Sequence, residues 1–179
     1  MGWVKIERPV WKRPNRIDRA AKRADHRHVR RRQTLLRRSR AATRRAVRHV
    51  TQDNQGKQPP GVDGVANLTP HERLDWVPHL HRQGHASPVR RGYLPKPGTT
   101  EPRPWGLPTM ADRATQALVK HGLAPAGEAA FEPNRDGVRP GRTPWEAIGA
   151  IEGQINQQPT GVVDADIAPC VERLHHDAG

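Results

Sequence analysis

The chain has 179 residues, with 31 Lys and Arg against 18 Asp and Glu, which gives a net charge of +13 and a pI near 11.3. This charge excludes an acidic or near-neutral metabolic domain and favours a polyanionic partner. Hydrophobic residues make up 34% and aromatic residues 4%, beside 16 Gly and 18 Pro, so we expect a thin core and much loop. One Cys excludes an internal disulfide framework, and no apolar run suits a secretion signal or a membrane span, so we expect a cytoplasmic protein without a membrane partner.

The positive charge is concentrated at the N-terminal end. Residues 1–50 contain 18 basic and three acidic residues, a net charge of +15, whereas residues 51–179 contain 13 basic and 15 acidic residues. Residues 30–50 combine a weak apolar stripe with a broad guanidinium face, which predicts one helix. Because a guanidinium group matches phosphate oxygens and dense positive charge repels itself, we predict phosphate contacts here. The alternative is a solvated helix that binds nothing.

The next stretch contains a loop and a clear helix start. Residues 51–64 are rich in turn-forming residues and show no apolar periodicity, which predicts a surface loop or linker. Thr69, Pro70 and Glu72 then occupy the N-cap, N1 and N3 positions of a capping box. A helix is predicted from this point.

A hairpin and a further helix follow. Residues 89–95 and 103–107 are predicted to be short strands, joined by the Pro- and Gly-containing turn at 96–102. Thr109 with Asp112 predicts a helix start, and the apolar residues behind it are Met110, Ala114, Ala117 and Leu118.

The last two predicted elements are a helix and a strand. Thr143, Pro144 and Glu146 form a second capping box, which opens a helix with an apolar face of Trp145, Ile148, Ile151 and Ile155. Such a face packs against another element, and where that element is missing we expect its apolar groups to stay partly exposed. The β-branched run at 161–167 predicts a strand that carries acidic groups.

Several segments together resemble bacterial group II intron reverse transcriptases, the intron-encoded maturases. The hairpin sequence 93–97 and the segment 103–117 resemble the first fingers motif of that family. The segments that resemble its other motifs, in the family's order, are 46–52, 61–64 and 68–70 for the N-terminal extension, 131–133 and 137–142 for the second fingers motif, and 165–167 with Cys170 for the start of the palm.

The resemblance implies an α+β fold, part of a right-hand polymerase. Residues 1–86 would be a basic helical extension, 87–160 the fingers, and 161–179 the start of a palm. The family members are RNA-directed DNA polymerases, which are nucleotidyltransferases of a mobile element, and they also assist splicing of their intron RNA. The implied partners are group II intron RNA and an RNA template with a DNA primer, with no small-molecule cofactor.

The resemblance also assigns residue roles. Asp166 matches the first metal-binding carboxylate, and Ile167 would offer a backbone carbonyl to Mg²⁺. Lys96 and Arg103 match the residues that hold the triphosphate of an incoming nucleotide. Arg139 and Arg142 would face the template or primer backbone. The predicted RNA-binding residues of the basic segment are Arg30, Arg31, Arg37, Arg38, Arg44 and Arg45.

One expected part of the catalytic site is absent from these 179 residues. The family's Tyr-x-Asp-Asp turn does not occur, because the sequence contains no Asp-Asp pair and its one Tyr is Tyr93. We expect the chain alone to be inactive as a polymerase. Two alternatives are a catalytically inactive RNA-binding remnant and a non-functional gene fragment.

A histidine cluster provides a rival hypothesis. His79, His81 and His85, with His71 nearby, have a spacing that could attract a divalent metal. Pro78 and Gly84 interrupt the cluster, so solvated histidines are the favoured interpretation.

Overall fold

The computed structural model describes residues 3–54, 59–80, 85–95, 97–98, 100, 102–133, 135–137, 139–157, 161, 163 and 165, without the side chains of residues 3–9 and 11. Its elements are α1 (Trp3–Lys22), α2 (His26–Arg37), α3 (Arg40–Arg48), α4 (Pro70–His79), β1 (Arg90–Pro95), β2 (Pro102–Leu107), α5 (Met110–Ala130) and α6 (Pro144–Gln157). The chain divides into two compact units, residues 1–131 and residues 132–179. The described part is mainly helical with one small sheet, in agreement with the α+β prediction.

The structure corrects the prediction of a single helix over residues 30–50. Helix α2 begins earlier, at His26, because the Asp25 carboxylate caps it by accepting the backbone N–H of His28 at 3.0 Å. It ends at Arg37, and Ser39 is extended with φ −81° and ψ 115° before α3 begins. Helix α3 then runs into one π-helical turn, His49–Asp53. The break at Ser39 allows α2 and α3 to contribute to the same core.

The core of the first unit surrounds α5, which packs against α1, α2 and α3. One cluster contains Ile17, Ala20, Val29, Leu36, Ala42, Ala46 and Leu118. A second cluster joins α4 to α3 and α5 through Val47, Val77, Leu80 and Ala114. Most of these side chains are small, as expected for a thin core. The arginine-rich segment therefore supplies much of the packing that holds the unit together.

The predicted helix starts are confirmed. Thr69 accepts the backbone N–H of Glu72 at 3.4 Å, and Glu72 accepts the backbone N–H of Thr69 at 2.7 Å, which completes the capping box. In the second unit, Thr143 N–H donates to Glu146 at 3.0 Å in the same way. At α5, Thr109 donates its hydroxyl to buried Asp112 at 2.6 Å and accepts that residue's N–H at 3.2 Å.

The predicted loop at 51–64 is a loop only in part. Its first residues, Thr51 to Asp53, belong to the π-helical turn, and residues 55–58 lie outside the described residues. The remainder is anchored rather than free, because Arg113 donates to the carbonyl of Pro59 at 2.7 Å. Gly61 is buried so closely against the start of α5 that a Cβ atom there would lie 2.7 Å from the Cα of Thr109. These two contacts hold the loop against the start of α5.

The hairpin prediction is confirmed. Strands β1 and β2 pair antiparallel in a register that sets Arg90 opposite Leu107 and Leu94 opposite Arg103. Leu107 is buried at the base of the hairpin, next to the start of α5. The other residues of the two strands are exposed except Gly92, which is half-buried.

The second unit leaves its apolar face uncovered. Helix α6 contains no buried residue, and its Trp145 side chain is 79% exposed, as expected where no element among the described residues covers the face. Residues 161, 163 and 165 are described and none belongs to a strand, while the rest of the predicted strand lies outside the described residues. The proposed extension, fingers and palm boundaries stay predictions.

Candidate nucleic-acid interface

A row of arginines lies along one side of α1. Arg13, Arg16 and Arg19 recur every three residues, which places them on one helix face, and Arg23 follows in the turn before α2. Helix α2 packs against α1. The two helices enclose an open cavity of about 560 Å³, and we name it the α1–α2 cleft. The residues that line it are Arg16, Arg19, Ala20, Arg23, Asp25, His28 and Arg32.

The positive charge of the α1–α2 cleft is not neutralised within the described part of the chain. There, the side chains of Arg16, Arg19, Arg23 and Arg32 make no hydrogen bond or ion pair. Asp25 is the acidic residue in the lining, and its carboxylate is held by His28, whose Nδ1 lies 2.6 Å away. The backbone N–H of His28 holds the pKa of Asp25 below its usual range. The cleft therefore presents several guanidinium groups to solvent.

Two smaller cavities extend the α1–α2 cleft along α2. One, of about 160 Å³, is lined by Arg13, Arg16, Arg32 and Leu35. The other, of about 170 Å³, is lined by His28, Arg31, Arg32 and Leu35. Arg13 also donates to the carbonyl of Leu35 at 2.7 Å, which ties the two helices together. Of the predicted RNA-binding residues, Arg31 is the one that joins this surface.

The other predicted arginines of this segment are distributed over different surfaces. Arg30 and Arg37 line a separate groove of about 360 Å³ between α2 and α5. Gln33 spans that groove by donating to the carbonyl of Gly122 at 3.2 Å. Arg38 is exposed at the end of α2, whereas Arg44 and Arg45 are half-buried in α3. The structure therefore does not bring the six predicted residues into one site.

The surroundings of His121 on α5, which include Arg45, lower the pKa of its side chain. Burial, followed by the charges of Arg45, His49 and Lys120, lowers the pKa of His121 on α5 to about 4. The Nδ1 atom of His121 has no hydrogen-bond partner among the described residues. His121 is therefore neutral near pH 7, and protonating it would place a further positive charge beside Arg45.

This lowered pKa predicts that acid weakens the fold. The unfolded chain binds a proton at His121 near pH 6.5 and the folded chain near pH 4, so the free energy of unfolding should fall as pH decreases through that window. His121→Gln should remove this part of the pH dependence, as measured by urea unfolding at pH 4.5 and 7. His26→Gln, at an exposed position, serves as the control. An unchanged pH dependence in His121→Gln would contradict the assignment.

In the second unit, Arg139 and Arg142 close a turn. Arg139 donates to the backbone carbonyls of Glu132 at 3.2 Å and Arg135 at 3.0 Å. Arg142 Nε lies 3.7 Å from Asp136 Oδ1. Both guanidinium groups have partners within their own unit, and their contact with a template or primer stays a prediction.

The predicted catalytic residues lie mostly beyond what the structure describes. Arg103 is exposed on β2 opposite Leu94, and Lys96, Asp166 and Ile167 lie outside the described residues. Among the residues that are described, no group of three His, Cys, Asp or Glu side chains could hold a metal ion. The nucleotide and Mg²⁺ assignments stay predictions.

The histidines of the rival metal hypothesis have other neighbours. His71 Nδ1 lies 2.8 Å from a carboxylate oxygen of Asp75, and His79 Nδ1 donates to the carbonyl of Asp75 at 2.7 Å. His81 lies outside the described residues. His71 and His79 thus have contacts within their own helix.

The arginines of α1 were not among the predicted RNA-binding residues, although the sequence contains a signal for them. In the basic segment, the predicted RNA contacts lie within residues 30–50, whereas the α1–α2 cleft depends on Arg16, Arg19 and Arg23. Their spacing of three and four residues predicts a charged helix face. Pro9 and Pro14 interrupt the helical pattern of this stretch, although α1 runs through both positions.

No helix in the described ranges has both the length and the apolar character needed to cross a membrane.

Comparison with known proteins places this surface in a family. Residues 1–80, which contain the α1–α2 cleft, match the family described as the N-terminal domain of reverse transcriptase. Over 126 residues the chain is 29% identical to the group II intron-encoded protein LtrA of Lactococcus lactis subsp. cremoris, and equally to that of strain MG1363. The matched region covers 69% of this chain and 21% of LtrA, so the chain spans about a fifth of these relatives. Residues 1–80 thus match the N-terminal domain of reverse transcriptase, and the chain is similar to part of a group II intron-encoded protein.

Proposed function

We propose that this region binds the phosphate backbone of group II intron RNA in the α1–α2 cleft. The observation that carries the proposal is the set of unneutralised guanidinium groups of Arg16, Arg19, Arg23 and Arg32 around one cavity. A guanidinium group donates two parallel hydrogen bonds to phosphate oxygens, and it is less strongly hydrated than an ammonium group. Family membership supports RNA as the source of those phosphates.

The composition of the cleft indicates how the RNA is held. Among the residues whose side chains are described, its lining contains no Trp, Tyr or Phe on which a base could stack. Arginine contacts to phosphate position a nucleic acid without reading its sequence. The cleft therefore supplies affinity, and recognition of a particular intron RNA depends on other surfaces or on the shape of the RNA.

The test compares two charge-matched variants of the full chain. The cleft variant carries Gln at Arg16, Arg19, Arg23 and Arg32, and the control variant carries Gln at Arg27, Arg37, Arg38 and Arg40. All four control residues are exposed in the same segment but lie outside the cleft lining. In fluorescence anisotropy with a labelled structured RNA, the cleft variant should bind at least about tenfold more weakly than the control.

Two other outcomes of this binding experiment would contradict the cleft as the RNA-binding site. Equal losses would show that net charge, rather than the cleft, determines affinity. A larger loss in the control variant would assign binding to the α2–α3 junction, which contains the predicted RNA-binding residues Arg37 and Arg38, and would overturn the cleft as the site.

We further propose that the region serves a polymerase that copies RNA into DNA from a primer and assists splicing. In that polymerase Asp166 and Ile167 would bind Mg²⁺, and Lys96 and Arg103 would hold the triphosphate of the incoming nucleotide. Two metal ions would supply stabilisation of the entering and leaving oxygens. These 179 residues contain one matching carboxylate and no Asp-Asp pair, so the donor set is incomplete within them.

We accordingly expect no primer extension by this chain alone. One palm carboxylate cannot position both metal ions, so labelled deoxynucleotides should not be incorporated on an RNA template with a DNA primer and Mg²⁺. Incorporation above a no-protein control, lost in Asp166→Ala, would refute this expectation. RNA binding without extension in a longer protein that contains Tyr-x-Asp-Asp would favour the inactive RNA-binding remnant.

A further inference from the structure

The β1–β2 hairpin is a two-stranded sheet whose faces are largely uncovered. Tyr93 is 61% exposed and Leu94 is 46% exposed. Among the described residues, neither strand pairs with any third strand. An unpaired strand edge presents backbone N–H and C=O groups that can bind another extended chain. The two edges of this hairpin are not equivalent.

The prolines of the hairpin determine which of its two outer edges can pair with another strand. In an antiparallel pair, residue pairs alternate between those that exchange backbone hydrogen bonds and those whose N–H and C=O groups point outward. Pro104 pairs with Tyr93 and Pro102 with Pro95, and proline has no N–H to exchange. These pairs therefore belong to the outward-pointing set, which also includes Arg91 with Gly106.

The outer edge of β2 is blocked and that of β1 is open. Pro102 and Pro104 remove two outward donors from β2, which is a common protection of edge strands. On β1, Pro95 removes one outward donor at the end of the strand, and the outward groups of Arg91 and Tyr93 are intact. The N–H groups of Gly92 and Leu94 point toward β2 by the same alternation. The hairpin thus offers one edge for strand addition.

We propose that the outer edge of β1 binds an extended segment of an acidic partner protein as a third strand. The charge of the hairpin selects such a partner, because Arg90 and Arg91 of β1 are exposed and neither strand contains an Asp or Glu. Tyr93 and Leu94, on opposite faces, provide apolar contacts for alternate side chains of the added strand. This inference does not depend on RNA binding by the α1–α2 cleft.

The same charges argue against a second copy of the chain at this edge. Pairing β1 with β1 of another molecule would bring together strands that each carry two arginines, in a protein of net charge +13. Like charges near one another across strands are destabilising.

Amide hydrogen exchange of the full chain, resolved by NMR, tests the backbone contact directly. The probe is the peptide acetyl-Glu-Val-Glu-Val-Glu-Val-amide, and its control is the same peptide with alternate backbone nitrogens methylated. Saturating probe should slow exchange of the Arg91 and Tyr93 amides by at least about tenfold and change Gly92 and Leu94 much less. No added protection at Arg91 and Tyr93 would overturn the proposal.

Two substitutions at one position separate the backbone from the side chain. Tyr93→Pro removes an outward N–H without touching the bonds between β1 and β2, whereas Tyr93→Val retains it. Affinity for the probe should fall about tenfold more in Tyr93→Pro than in Tyr93→Val. Equal affinities would overturn strand addition, even if the hydrogen exchange were altered. Pro104→Ala should restore an outward donor on β2 and permit a second peptide to bind.

Other occupants give distinct results. Protection of Arg91 and Tyr93 that grows with protein concentration without peptide would identify a second copy instead. Protection by an oligouridylate but not by the peptide would identify nucleic acid instead, and either result would overturn the proposal. Loss of RNA binding in the cleft variant, with unchanged protection by the peptide, would show that the strand site at β1 is independent of RNA binding in the α1–α2 cleft.

Discussion

Raising the salt concentration from 50 to 200 mM should weaken binding of the full chain to structured RNA by about 10³- to 10⁵-fold, for six to ten phosphate contacts. Each contact releases a condensed counterion from the RNA, and salt opposes that release. The excess positive charge lies in residues 1–50, with a net charge of +15, so this segment should produce most of the effect.

The slope of log affinity against log salt measures the number of contacts. For four lost contacts, the cleft variant should lower this slope by about three, since each phosphate contact contributes about 0.7 to 0.9. Anisotropy titrations at four or more salt concentrations give the slope for wild type, the cleft variant and the charge-matched control variant. An unchanged slope in the cleft variant would show that its arginines do not contact phosphate.

Leu36→Ala should lower the free energy of unfolding by about 3 to 5 kcal/mol. Leu36 is fully buried in the cluster where α1, α2, α3 and α5 meet, so its removal leaves a cavity. Such a loss is a large fraction of the roughly 5 to 15 kcal/mol by which a domain is stable. Urea unfolding followed by circular dichroism measures it.

The adjacent residue provides a matched control. Leu35 is 51% exposed, so Leu35→Ala should change the free energy of unfolding by about 0.5 kcal/mol or less. Similar losses in the two variants would indicate that α2 does not pack as described.

This packing also determines how the charge hypothesis can be tested. Deletion of residues 1–50 would remove the positive charge together with Ile17, Leu36 and Ala42, which pack in one cluster with Leu118 of α5. A loss of RNA affinity after deletion would then report unfolding as much as lost charge. Substitution of exposed arginines separates the two effects.

Much of the local structure was predictable from the sequence. The capping boxes at Thr69 and Thr143 and the start of α5 at Thr109 involve hydrogen bonds between residues three positions apart. Short-range chemistry determines such features, so residue type and spacing are sufficient. The hairpin followed in the same way from two short strands around a turn. Several motifs in the correct order also indicated the family, which the comparisons confirm.

The candidate site was predictable in its charge but not in its position. The sequence placed the excess charge in residues 1–50 and indicated phosphate binding. It did not show that Arg16 and Arg19 of α1 would lie across a cleft from Arg32 of α2. That arrangement depends on which faces of two helices pack together, and many weak apolar contacts decide this collectively.

By itself, the sequence determined the helix starts, the hairpin, the sign and location of the charge, and the family. Only the tertiary structure decided the break at Ser39 and the anchoring of Gly61 against Thr109. The physical reason is the range of the interactions. Caps and turns form between near neighbours, whereas helix breaks, buried glycines and covered faces depend on residues far apart in the chain.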